Sequence, residues 1–382
     1  MTERATTIAD IVRARGPMTV AAFMDLALYH PSLGYYARAG RRSGRAGDFF
    51  TSVDVGDAFG NLLERQIAEM ADLLPGPLDL VEAGAGSGRL SADILRAARD
   101  RHPALYERIR LHLVEASPSA RDAQRGTLGD VADRVVSSGD TVPAGFSGVL
   151  FANELLDAMP VHQVVMREDG LREVYVQATP QPDGIGLELT TLEGPLSTTA
   201  LADYLKRIGA ELEPGWRADI SLRAVDWIRE AARRLTRGFL LLIDYGHEAH
   251  DLFSASHAGG SLTTFQGHRA AGPDSLPRMP WLEAPGDQDI TAHVDFTSVR
   301  RAAEDEGLEV LGLLDQTYFL LGLMDTEAIG EPASSIDRIK RRLALKTLLM
   351  PGGLGSTMKV LVMSRGVGRP ALRGCSYRMR LT

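Results

Sequence analysis

The chain has 382 residues, of which 44% are hydrophobic and 24% charged, and a formal net charge of −8; that is the balance of an ordinary globular protein, and its acidity argues against a general nucleic-acid binder. The single cysteine, Cys375, excludes an internal disulfide and a cysteine metal cluster. There is no run of about 18 apolar residues that would insert in a membrane, and the opening MTERATTIAD carries Glu3 and Asp10 in place of the apolar core of a secretion signal, so a cytoplasmic chain is expected, or a mitochondrial-matrix one if the source is eukaryotic.

Apolar residues three and four apart predict helices over 5–30 and 55–74, the second stopped by Pro75-Gly76-Pro77. Between them ARAGRRSGRAGD, with arginines at 38, 41, 42 and 45, reads as a polar loop or as a lid over a ligand. LDLVEA then predicts a strand running into glycines and a helix from Arg89. Further strands follow at LHLVEAS, RVVSS, GVLFANE and GFLLLIDYG, the last two being the continuous apolar runs of a buried parallel sheet. Strands alternating with helices predict βαβ units in a doubly wound sheet, with the strand ends along one edge.

Two segments interrupt the alternation. VHQVVMREDGLREVYVQ predicts a β-hairpin turning at Glu168-Asp169-Gly170, followed by helices at ALADYLKRIG and SLRAVDWIREAARRL. After the fifth strand, 247–290 is polar and glycine-rich with few structure signals, as in a long functional loop. The helix FTSVRRAAEDEG, the strand LEVLGLLDQ, the basic helix IKRRLALKTLL and the strand MKVLVMSRG close the chain, appending two strands to a five-stranded parallel core. The expected organisation is a helical cap over 1–75, a nucleotide-binding half over 76–154, an inserted hairpin and helical subdomain over 155–237, the rest of the core over 238–366 with a long loop at 247–296, and a disordered tail over 367–382.

The glycines of VEAGAGSGRL raise the question of which nucleotide they serve. Gly84, Gly86 and Gly88 are spaced G-x-G-x-G, with Ala85 between the first two, whereas redox dinucleotide sites use G-x-G-x-x-G. The later glycine position here is Arg89, too large for close helix–strand packing, and no Gly-Lys-Ser/Thr of a phosphate loop is present. Glu82 would attract the cationic amino group of S-adenosylmethionine (SAM) and repel a pyrophosphate. Glu115, ending the second strand, suits ribose hydroxyls, Asp140 after the third strand suits the adenine amino group, and Asn153 and Glu154 end the fourth strand at the same edge. Each taken alone is equally a helix cap or a solvated strand end.

Taken with the blocks HPSLGYYAR, GDFFTS, HLVEASPSARDAQ, ANELLDAMPVHQ, LLLIDYG and PGDQDITAHVDF, which run through most of the chain, these residues resemble the MidA-type SAM-dependent methyltransferase family. The resemblance implies a class I methyltransferase fold of the α/β class: a Rossmann-like, doubly wound, mostly parallel seven-stranded sheet with N-terminal helices and an inserted substrate-facing subdomain. It implies SAM as cofactor and N-methylation of an arginine in a respiratory complex I subunit or related protein. A small-molecule methyltransferase and a non-catalytic SAM-binding assembly factor are the alternatives. No nucleic-acid partner is expected, and a homodimer is compatible. The chain departs from the family where Val53-Asp54 follows GDFFTS in place of Pro-Glu, and where Gly260-Ser261-Leu262-Thr263 replaces a Gly-Thr-Leu-Arg run.

Cofactor contacts are expected from Phe50, Thr51, Glu82, Gly84, Ala85, Gly86, Gly88, Glu115, Asp140 and Asn153, with Ser52 beside the first two. A guanidinium substrate calls for paired carboxylates. Glu154 and Asp157 are three residues apart and would share a face if the chain turned helical there. His162 is the expected acid or base, His293 is another histidine of that kind, and Asp244 and Tyr245 end the fifth strand at the same edge.

Overall fold

The computed structural model describes residues 7–38, 52–181, 186–266, 269–272, 279–324, 336–349 and 358–376. The chain forms two compact units: one of Phe50–Leu155, Ile228–Tyr245 and Arg300–Thr382, the other of Met1–Phe49, Leu156–Trp227 and Gly246–Val299.

The first unit holds the predicted sheet. Its strands are β1 (Leu78–Ala83), β2 (Ile109–Val114), β3 (Val135–Gly139), β4 (Phe146–Asn153), β5 (Leu235–His247), β6 (Glu309–Asp315) and β7 (Met358–Arg365). They lie in the order β6-β7-β5-β4-β1-β2-β3. β7 runs antiparallel to both of its neighbours, and the remaining pairs are parallel. This is the class I methyltransferase arrangement, with the order reversing between β1 and β4. The apolar runs work as their composition implies: Phe239, Leu240 and Leu241 are 0% exposed, each such side chain contributing about 1.5–3 kcal/mol through burial. Gly148 sets the spacing of the central strands, since a Cβ there would stand 1.9 Å from the Asp79 carbonyl oxygen.

Helices Ala58–Asp72 and Arg89–Arg101 bury Phe59, Leu63, Ile67, Met70, Ile94 and Leu95 in the core they share with this sheet. Two expectations are corrected here. The helix at 58–72 belongs with the sheet rather than with a cap over 1–75, because its apolar stripe is used up in that core. The tail is ordered over 367–376: Leu372 is 1% exposed, and the Gly374 amide donates to Gln66 Oε1 at 3.0 Å.

The second unit is assembled from three separate segments. Its five-stranded antiparallel sheet contains the predicted hairpin, His162–Arg167 with Gly170–Pro180, extended by Met18–Thr19, Leu187–Gly194 and Arg217–Ile220. Helices Ile8–Arg15 and Val20–Tyr29, capped by Thr7 and Thr19, pack Val12, Phe23 and Met24 into the core that holds Val165 and Val176. The inserted subdomain is therefore not confined to 155–237. Nor is 247–296 a bare loop: Thr263–Gln266 pairs with Arg269–Ala271 and with Asp289–Thr291, and Val294–Asp295 pairs with Gly246–His247. Among the described residues no helix is long and apolar enough to cross a membrane.

Candidate functional site

The three glycines leave β1 in left-handed conformations, with φ of 71° at Gly84, 51° at Gly86 and 81° at Gly88, which side-chain-bearing residues adopt only at a cost. The amides of Gly84 and Ala85 donate to the Val114 carbonyl at 2.9 and 3.1 Å, tying the loop to the end of β2. Gly88 is the N-cap of the helix Arg89–Arg101. A Cβ at Gly86 would meet no atom of the described residues within 4 Å, whereas one at Gly84 would lie 3.1 Å from Leu155 Cδ1. Gly86 thus faces open space at the tip of β1, where a ligand can approach the backbone.

Carboxylates and amides hold this loop. Glu115 accepts from the Gly86 amide at 2.8 Å with one oxygen and from the Ser117 amide at 2.7 Å with the other. Gln124, which sequence reasoning missed, donates to the Gly86 carbonyl at 2.9 Å and accepts from Ser138 Oγ at 2.7 Å, joining β3 to the loop. Its only sequence signal is its place in the helix Pro118–Leu128 that follows β2. Glu82 is 5% exposed and accepts from both the amide and the hydroxyl of Ser91 in the first turn of the Arg89–Arg101 helix. Burial raises its carboxyl to about 8, with Ser91 opposing and the charge of Glu115 adding to the rise. Asp140 stands exposed just beyond β3.

The end of β4 differs from the helical turn expected there. Glu154 has φ 53° and is the one non-glycine with positive φ among the described residues. The chain bends after it, because the Glu154 amide bonds the Ile243 carbonyl at 2.9 Å and the Leu155 amide bonds Asp244 Oδ2 at 3.1 Å. Asp244, 1% exposed, is the positioning group of this bend. Asn153 Nδ2 donates to Glu154 Oε1 at 3.0 Å, while Asn153 Oδ1 is a buried acceptor without a hydrogen-bond partner among the described residues. Phe50 and Thr51 lie outside the described residues. Ser52 is buried beside Gln316 and Met358.

In the second unit Asp157 is 8% exposed, and its carbonyl accepts from the Ala292 amide at 2.9 Å. His162 Nδ1 lies 2.7 Å from Glu173 Oε1, and Glu173, fully buried, also accepts from the Ser197 amide at 2.5 Å. Burial alone would raise the Glu173 carboxyl; the bonds from His162 and Ser197 outweigh it and hold the group below its usual range. His162 is thus committed to a buried carboxylate inside the hairpin. Asp219 gathers the amides of Ser261 and Leu262 and the side chain of Gln163, which is what the Gly260–Thr263 departure is built around. Burial, with His247 and His257 beside it, lowers His293 to about 4.

Comparison with known proteins shows the family. A model of S-adenosyl-L-methionine-dependent methyltransferases matches residues 62–314. The Danio rerio protein named protein arginine methyltransferase NDUFAF7, mitochondrial, is 32% identical over 82% of this chain and 74% of its own length. The Mus musculus protein of the same name is 31% identical over 81% of this chain and 71% of its own. A crystal structure of a Burkholderia thailandensis protein bound to S-adenosyl-homocysteine is 30% identical, with a TM-score of 0.85, and covers 97% of this chain and 94% of that one. The residues present fit such a ligand: Gly86 leaves backbone open to it, and Asn153 Oδ1 is an acceptor in want of a donor.

Proposed function

Since the chain belongs to the S-adenosyl-L-methionine-dependent methyltransferases, we propose that it methylates an arginine side chain of a protein, using the loop after β1 and the bend after β4. The observation that carries this reading is the likeness, over most of both chains, to proteins named protein arginine methyltransferase. Bound SAM supplies an electrophilic methyl group on a sulfonium. Gly84, Gly86 and Gly88 let the backbone approach it, Glu82 and Asn153 Oδ1 receive its cationic amino group, Glu115 the ribose hydroxyls and Asp140 the adenine.

Glu154 is the chain's own group for a guanidinium. Its left-handed backbone is held by two amide bonds, to Ile243 and Asp244, so the carboxylate is positioned before substrate arrives. A carboxylate there offsets the guanidinium charge, aims one nitrogen and accepts the proton that nitrogen loses. Asp157, the other carboxylate expected for a guanidinium, lies in the second unit. His162, engaged by Glu173, is assigned to structure.

Following the family resemblance, we place the substrate among respiratory complex I subunits or related proteins, with a role in complex I assembly; the enzyme is placed in the cytoplasm, or in the mitochondrial matrix if the source is eukaryotic, and a homodimer is compatible. The test is a comparison of wild-type and deletion cells by mass spectrometry, with labelled SAM added to deletion extract plus purified protein. A methylated arginine that is present only in wild-type cells, and label in protein, is the expected result. Label confined to small molecules would replace this reading with small-molecule methylation. Protein that binds SAM and leaves all fractions unlabelled would replace it with a non-catalytic assembly role.

A further inference from the structure

The end of β5 and the segment that follows it bring three histidines together. His247 is the last residue of β5, His257 ends the single turn Ala255–His257, and His293 stands between the strands Asp289–Thr291 and Val294–Asp295. One ring nitrogen from each lies within 4.8 Å of the other two. The ring centroids are 4.9, 5.3 and 5.8 Å apart. All three rings are half-buried.

Two further observations point to a ligand between them. Among the described residues, Nδ1 of His293 is buried and has no hydrogen-bond partner, a condition that costs about 1–3 kcal/mol when nothing relieves it. Nδ1 of His257 lies 3.0 Å from the Asp251 carbonyl oxygen. As a donor it would leave Nε2 with its lone pair outward, the outer contact common to metal-bound imidazoles. The frame around His293 is also fixed, because its amide donates to Ser261 Oγ at 3.1 Å and Ser261 is in turn bound by Asp219.

We propose that His247, His257 and His293 bind one divalent late-transition-metal ion, zinc first, through three imidazole nitrogens, with a fourth position open to water or another ligand. Zinc–nitrogen bonds of about 2.0–2.1 Å set ligand nitrogens roughly 3.3 Å apart in a tetrahedron, so each ring closes inward by about 1 Å. The ion would clamp the end of β5 and the turn at His257 to the segment before Val294. None of the three histidines is part of the glycine loop, so the proposal stands or falls apart from the methyl-transfer reading.

The tag-free, full-length protein, stripped with a chelator, is titrated with zinc chloride by calorimetry and with cobalt(II) by visible absorption. The expected result is one equivalent per chain at micromolar or tighter Kd, a four-coordinate cobalt spectrum, and a Tm that rises with zinc. His257→Ala and His293→Ala should each weaken zinc binding by about 100-fold or more. Binding only at millimolar zinc, or binding unchanged in the double variant, overturns the site. If an alanine variant does not fold, the ring nitrogen spectrum of the wild-type protein decides. Zinc must shift the signals of three of the 9 histidines; shifts in none, or spread over all, overturn the proposal.

Discussion

Glu115 Oε2 accepts the amide hydrogen of Gly86 at 2.8 Å, across 29 residues of sequence. The bond fastens the middle of the glycine loop to the tip of the neighbouring strand, while the other oxygen takes the Ser117 amide. A residue singled out as a ribose acceptor is therefore also a brace for the loop. The two roles are compatible, because an ionised carboxylate has about four acceptor sites and these bonds use two.

Gly86→Val should remove SAM binding in calorimetry while leaving a folded protein. The backbone strain at φ 51° costs on the order of 1–2 kcal/mol, and no atom of the described residues blocks the new side chain, which would instead occupy the approach proposed for the ligand. Gly148→Ala, whose Cβ would meet the Asp79 carbonyl oxygen, should prevent folding. Undiminished SAM affinity in Gly86→Val would sink the loop assignment.

Glu82 makes stability pH-dependent. Its carboxyl is raised from 4.5 to about 8, chiefly by burial. A raised carboxyl holds its proton in the folded state where the unfolded chain has lost it. Its contribution is thus complete below 4.5 and is lost as pH rises through about 8, a swing on the order of 5 kcal/mol. Thermal melts from pH 5 to 8.5 should show the decline in wild type and a flatter profile in Glu82→Gln. A cation bound at Glu82 should also expel the proton, so SAM binding at pH 7 should release protons in calorimetry across buffers, and Glu82→Gln should not.

Glu154→Gly should raise stability by about 1 kcal/mol, since glycine adopts a φ of 53° freely, and should lower kcat. Glu154→Gln should keep wild-type stability and SAM affinity and lose transfer to the acceptor. Full kcat in Glu154→Gln would remove the carboxylate from the reaction.

His162→Ala should destabilise by about 2–3 kcal/mol in urea denaturation, because Glu173 is fully buried and would lose its imidazole partner. The kcat of the folded variant should match wild type. Lost kcat with unchanged stability would return His162 to the chemistry.

What was legible in the sequence was what short-range physics decides. Buried strands need continuous apolar runs, so LDLVEA and GFLLLIDYG placed the sheet. A loop that turns through three left-handed positions needs glycine, so Gly84, Gly86 and Gly88 placed the turn between β1 and its helix. In the second unit the hairpin and helices were legible, but not how its segments assemble. Its segments are joined by pairings such as Thr19 with Tyr175 and Thr263 with Thr291, which depend on register between distant strands and leave no local pattern. The bend at Glu154 was hidden for the same reason: the groups that impose it, Ile243 and Asp244, are about 90 residues away. Sequence alone therefore determined the sheet, the glycine loop and the family resemblance. Only the tertiary structure decided that Glu82 is buried against Ser91, that His162 serves Glu173, and that His247, His257 and His293 meet, because burial and long-range pairing set those environments and neither is written in the spacing of residues along the chain.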